Sequence, residues 1–308
     1  MKARHAVRMQ RAIGIDEAGY GPILGPLVIG CCTIDCDDEQ ADIEAVCRAA
    51  PLGVRDSKQL HKPGDLGPLE SVALAAIEWL AGIQPQNAAE LFALFGEDEQ
   101  TRSAFPWMAG ATELSLPRAA RNIPNWDLPT LTSAGASARI IHPHTLNEAA
   151  TAGTNRAAVE LDAIGELLRE RLPGKACSIT VDRLGGRRFY ADFFADLSPD
   201  SDVTDIDEIK AASRYVFHAH GHQHRAAFLV GGESASPLVA IASCIAKYLR
   251  EVHMLLLNQY WSGRFRWLKP CAGYGSDAKR WLYQLGSGNL GAYGPELVRN
   301  YEKFAETT

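Results

Sequence analysis

The chain has 308 residues, 46% hydrophobic and 22% charged, enough to bury a sizeable core and unlike the composition of a disordered chain. Its net charge of -6 argues against a generally basic nucleic-acid coat but leaves room for a local basic groove. The seven cysteines show no paired CxxC spacing, no stretch approaches the ~18 apolar residues of a membrane helix, and no apolar signal core follows the basic N-terminus. Cysteine spacing therefore suggests neither a zinc site nor a disulfide framework, and a cytoplasmic protein is expected.

Along the chain, residues 13–16 and 26–33 are predicted strands joined by the turn Ala18-Gly19-Tyr20-Gly21-Pro22. Asp16 and Glu17 end the first strand side by side. Adjacent carboxylates raise each other's pKa, and a divalent cation removes that repulsion. Mg²⁺ and Mn²⁺ favour such hard oxygen ligands. Strand alternation sends the two side chains to opposite faces unless the turn re-aims one. Residues 66–80 fit an amphipathic helix. Residues 84–135, with five prolines, Trp107 and Trp126, read as loops and short elements forming an inserted segment.

A helix is expected from about 145 or 155 to 172, followed by a strand at 177–181 that delivers Asp182. The stretch 192–208 holds seven acidic residues and no basic one, and reads as a solvated loop rather than a metal cage. Residues 216–230 are strand-like. His218, His220, His222 and His224 alternate there, on one exposed face that is a weaker candidate for a transition metal. Ser236-Pro237 looks like an N-cap and first helical position, with the helix running on through Leu256. Beyond it, Arg264, Arg266, Lys269, Lys279 and Arg280 interleave with Trp261, Phe265, Trp267, Tyr274 and Trp281. That pattern fits either a nucleic-acid track or an amphipathic surface with aromatics in the core. The expected organisation is a catalytic domain over 1–260 and a helical, substrate-contacting region over 261–308.

The candidate site is a set of carboxylates: Asp16, Glu17, Asp182 and Glu233, with Glu251 behind them. Asp182 repeats the logic of Asp16, an acid where a hydrophobic strand stops, which is where α/β proteins place chemistry. Glu233 follows Gly231-Gly232, which allow close approach of backbone or ligand. Glu251 lies four residues beyond Lys247 on the same helix, a spacing suited to an ordinary ion pair. Taken singly, each acid is better read as a surface charge. The set is informative only if it converges.

Five ordered segments resemble ribonuclease HII and its relative ribonuclease HIII. They are Gly14-Ile15-Asp16-Glu17-Ala18-Gly19-Tyr20-Gly21-Pro22, Asp56-Ser57-Lys58-Gln59-Leu60, Val181-Asp182, Glu233 with the helix Ala240–Lys247, and Gly273-Tyr274-Gly275-Ser276. The resemblance implies an α/β, ribonuclease H-like fold: a mixed β-sheet flanked by helices, with an inserted segment and a C-terminal helical region. It implies a metal-dependent endoribonuclease with two Mg²⁺ or Mn²⁺ ions held by Asp16, Glu17, Asp182 and Glu233. Substrate would be an RNA/DNA hybrid or DNA containing ribonucleotides, bound by Gly19, Tyr20, Gly21, Ser57, Lys58 and Tyr274. No membrane partner is expected, and the chain is expected to be a monomer. Glutamate at position 233 is the ribonuclease HIII-like choice.

Two departures from the family stand out. Its Gly-Arg-Gly turn is Gly19-Tyr20-Gly21 here, and the lysines flanking the last acidic residue are replaced by Gly231 and Ala235. A phosphate-loop reading of Gly19, Gly21 and Gly25 fails, because the spacing is GxGxxxG and leads into a strand rather than a helix. The rival reading is a catalytically weakened nucleic-acid-binding relative. The four acids argue against it, since a binding protein gains nothing from mutually repelling carboxylates.

Overall fold

The structure is a computed structural model and describes residues 9–36, 42–49, 60 and 65–305. Its frame is a seven-stranded sheet: β1 (Arg11–Ala18), β2 (Leu27–Cys36), β3 (Leu131–Ile141), β4 (Cys177–Asp182), β5 (Asp202–Glu208), β6 (Ala212–Ala219) and β7 (His222–Leu229). The order is β3-β2-β1-β4-β7-β6-β5. The central trio β1, β4 and β7 is parallel, and the flanking strands are antiparallel. The expected mixed sheet flanked by helices is present.

Alternation along β1 divides the core. Ala12 and Ala18 join one buried cluster with the Gly67–Ala81 and Pro237–Arg264 helices, while Ile13 and Ile15 join a second with the Arg156–Arg171 helix. The long Pro237–Arg264 helix lies hard against the sheet. A Cβ at Gly14 would sit 2.4 Å from the Leu238 carbonyl carbon, so only glycine permits that approach.

Several expectations are corrected. Of the two starts expected for the helix ending near 172, the one at 155 holds: Asn155 caps the Arg156–Arg171 helix with its side chain on the Ala158 N–H, and the residues around 145 form a separate helix, Pro143–Thr151. The edge strand β3 was not expected. The acidic stretch is not a loop: it forms the Ala191–Ala195 helix and edge strand β5, where solvent on both sides tolerates its charges. The histidines do not share a face, because His220 (φ 51°) and Gly221 (φ 75°) turn a β6–β7 hairpin between them. His218 is exposed, whereas His224 is buried between the Cys177 N–H and the Ala219 carbonyl. Ser236 makes no side-chain cap, although Pro237 does open the helix, which runs to Arg264.

Within 84–135 the chain forms the Ala88–Leu94 and Glu99–Ser103 helices and a 3-10 turn at Pro106–Gly110. Two buried carboxylates hold this segment. Glu70 accepts the backbone N–H groups of Arg118, Ala119 and Ala120, at 2.9, 2.5 and 2.7 Å, and the Tyr248 hydroxyl at 2.8 Å. Glu97 lies between the imidazoles of His142 and His253.

The aromatic tail divides between both readings left open by its pattern. Trp261 and Trp281 are core residues, whereas Trp267 is 62% exposed and Tyr274 is 45% exposed. No helix among the described residues is long and apolar enough to cross a membrane.

Candidate metal and nucleic-acid site

The sheet itself sets the first pair of acids level. Ile15 of β1 pairs with Val181 of β4 in parallel register, so Asp16 and Asp182 leave adjacent strands at the same height. Asp16, Glu17 and Asp182 each offer a carboxylate oxygen within 4.8 Å of the others. Alternation does send Asp16 toward Ser243 on the long helix and Glu17 toward Glu160 on the other face. They still meet, because Asp16 folds back over the strand end and its Oδ1 accepts the Glu17 N–H at 2.8 Å.

Asp182 Oδ1 accepts the Gly232 N–H at 2.6 Å, which ties β4 to the short Gly232–Ala235 helix carrying Glu233. Glu233 lies outside the 4.8 Å trio but lines the same pocket of about 370 Å³, together with Lys247, Arg250, Glu251 and Tyr274. Lys247 Nζ stands 3.5 Å from Glu233 Oε1, and Glu251 Oε1 stands 3.5 Å from Arg250. Glu251 therefore shares the pocket and faces a guanidinium.

Charge is poorly compensated here. Burial pushes the Asp16 carboxyl well up, followed by the charge of Glu17 and smaller pushes from Asp182 and Glu233, against an opposing Ser243 hydroxyl. Glu17 is pushed up to about 7 by burial and by Glu160, the largest charge acting on it. Glu160 was not expected. It is 1% exposed and pushed up to about 8 by burial, then by Asp16 and Asp182, with Arg156 opposing. Asp16 Oδ2 is buried without a hydrogen-bond partner. Clustered hard oxygens with an orphaned buried atom fit a divalent cation, which would supply the missing positive charge.

The turn after β1 is clamped from three sides. Gly19 has φ 85°, and a Cβ there would lie 2.6 Å from Arg250 Cδ. Buried Arg299 donates from Nη1 to the Gly19 carbonyl at 2.6 Å and to the Tyr20 carbonyl at 3.3 Å. Its Nε and Nη2 reach the Gly25 carbonyl at 2.9 and 2.7 Å. Arg156 also donates to the Tyr20 carbonyl. Gly21 is exposed. Arg250 packs over the Tyr274 ring, 4.7 Å from its centroid. Ser57 and Lys58 lie outside the described residues.

Sequence reading missed Glu160, Arg156, Arg250 and Arg299. Two of them carried a signal: Glu160 lies in helical phase with buried Ile164 and Leu168, and Arg250 interrupts the buried run from Ala246 to Leu257. A charge on an apolar stripe is a candidate buried functional group. Arg299 and Arg156 carried none.

The ribonuclease HII family model matches residues 13–65. Ribonuclease HII of Pyrococcus horikoshii is 50% identical over 50 residues, 16% of this chain and 20% of that protein. The Hyperthermus butylicus enzyme is 46% identical over 56 residues, 17% of this chain and 19% of that protein. The chain's matches thus span about a fifth of the curated relatives' length. Among solved structures, ribonuclease HII of Archaeoglobus fulgidus, in complex with PCNA, aligns at TM-score 0.51 and 20% identity over 95% of this chain and 94% of that one. Ribonuclease H2 of P. horikoshii aligns at 0.51 and 19% identity, over 96% and 98%. These two likenesses show that the fold is ribonuclease H-like.

Proposed function

We propose that this chain is a member of the ribonuclease HII family and a metal-dependent endonuclease that hydrolyses RNA paired with DNA or the phosphodiester beside a ribonucleotide embedded in duplex DNA. The observation that carries this reading is the convergence of Asp16, Glu17 and Asp182 within 4.8 Å at one strand end, with Glu233 on the same pocket.

In this reading Asp16, Glu17, Asp182 and Glu233 hold two Mg²⁺ or Mn²⁺ ions. Such a pair of ions would supply charge stabilisation to the attacking and leaving oxygens of an in-line displacement. Water adds to phosphorus, the P–O3′ bond breaks, and the 3′-oxygen takes up a proton. The products carry 5′-phosphate and 3′-hydroxyl ends.

The protein's own groups position the substrate. Lys247 orients Glu233, and the Gly232 N–H orients Asp182. The backbone of Gly19, Tyr20 and Gly21 reads the 2′-hydroxyl, the group that separates RNA from DNA. Arg299 keeps that turn in one shape, Arg156 supplies positive charge beside it, and exposed Tyr274 offers a face to the neighbouring sugar. Ser57 and Lys58 contribute phosphate contacts.

The test is cleavage of an RNA/DNA hybrid and of a duplex with one embedded ribonucleotide, each with Mg²⁺ or Mn²⁺. Cleavage leaving 5′-phosphate ends is expected. No cutting of either substrate with either metal would reject the reading.

A further inference from the structure

A second group of donors joins the 84–135 segment to the elements packed against it. Glu97 follows the Ala88–Leu94 helix, His142 lies between β3 and the Pro143–Thr151 helix, and His253 sits on the Pro237–Arg264 helix. All three are buried, with side chains only 5, 8 and 2% exposed. One oxygen of Glu97 is 2.5 Å from His142 Nε2, and the other is 2.8 Å from His253 Nε2. The rings are held by aromatic neighbours: Phe105 stacks on His142 at 4.1 Å between centroids, and Phe92 packs on His253 at 4.5 Å.

We infer that Glu97, His142 and His253 form a structural transition-metal site, with Zn²⁺ as its ion, that staples the 84–135 segment to the long helix. The two imidazole nitrogens and two carboxylate oxygens make an N₂O₂ set, and Zn²⁺ takes His and Glu ligands in four-coordinate sites. Mg²⁺ demands six hard oxygens and does not suit it. The residues are distinct from the carboxylate cluster. Helical phase also separates them, since His253 and Glu251 are two positions apart and point to different sides of their helix. Cysteine spacing gives no hint of such a site because it contains no cysteine.

The test uses the full chain and its Asp16→Asn variant, both loaded with Co²⁺ under excess Mg²⁺ and then passed through a desalting column. Expected are about one retained ion per chain and the intense visible bands of low-coordinate cobalt in both proteins, with loss of both in Glu97→Gln and His253→Asn. Stripping the metal should lower Tm by roughly 5–10 °C, with recovery on adding Zn²⁺ but not Mg²⁺. If no ion is retained and Tm does not respond to Zn²⁺, the cluster is a hydrogen-bonded clasp only and the inference fails. A faint six-coordinate spectrum that disappears in Asp16→Asn would assign the ion to the carboxylate site and also overturn it. The parent's metal content and spectrum decide the matter even if the variants fail to fold.

Discussion

The guanidinium of Arg156 lies over the ring of Tyr20, 5.3 Å from its centroid, and donates to the Tyr20 carbonyl. A cation from a separate helix thus reaches the Gly19-Tyr20-Gly21 turn, which carries no cation of its own. Arg156→Ala should lower kcat/KM on a single-ribonucleotide duplex about 10-fold, the size of one charge-assisted contact. Tyr20→Arg should restore cutting in the Arg156→Ala background. A double variant as slow as Arg156→Ala would show that the two cations are not equivalent.

Asp16→Asn keeps the shape of the side chain but removes the charge that a cation would bind. Cleavage should fall at least about 10³-fold, while hybrid binding measured without added metal stays within about 3-fold. Full activity in this variant would remove Asp16 from the site.

Arg299 spans the Gly19 and Gly25 carbonyls with one planar fork. Lysine has no second arm. Arg299→Lys should therefore destabilise the protein by about 2–3 kcal/mol in urea unfolding and slow cleavage by loosening the turn. An unchanged midpoint and rate would refute the clamp.

Without added Mg²⁺, the protein should lose stability as pH rises. Glu17 and Glu160, pushed to about 7 and 8, keep protons in the native state that the unfolded chain releases near the ordinary pKa of 4.5. The native state then binds more protons, so the slope of unfolding free energy with pH is negative between about 4.5 and 8. Urea midpoints at pH 5.5, 7 and 8.5 should decline. Saturating Mg²⁺ should flatten the decline, as should Glu160→Gln in part. A midpoint that rises over this range would contradict the electrostatics.

Glu70 satisfies three backbone N–H groups and the Tyr248 hydroxyl with two oxygens. In Glu70→Gln an amide NH₂ would have to face those donors. The expected loss is about 2–3 kcal/mol, read by urea unfolding, with greater proteolytic cutting near 118–120.

Much of the frame was legible because its signals are local. Apolar runs that stop at an acid mark the ends of β1 and β4, and Pro237 marks the start of the long helix. Glu233 needed the family resemblance, since one glutamate after two glycines has no local mark. β3 stayed hidden because Ser133 to Ala138 are small residues without β-branched bulk. β5 stayed hidden because an exposed edge strand tolerates a purely acidic pattern. Glu97, His142 and His253 come from three elements, with no repeating interval to betray them. Arg299 and Arg156 act through carbonyl groups, which any sequence possesses and none advertises.

The level pairing of Ile15 with Val181 also bears on how the protein matures. Those strands lie far apart along the chain, so the acidic cradle exists only once distant regions have docked. Captured magnesium would then reward the completed topology and not its fragments, making the ion a late checkpoint in assembly as well as a reagent. Refolding should consequently respond to magnesium mainly through slower escape from the finished state, with little acceleration of its formation.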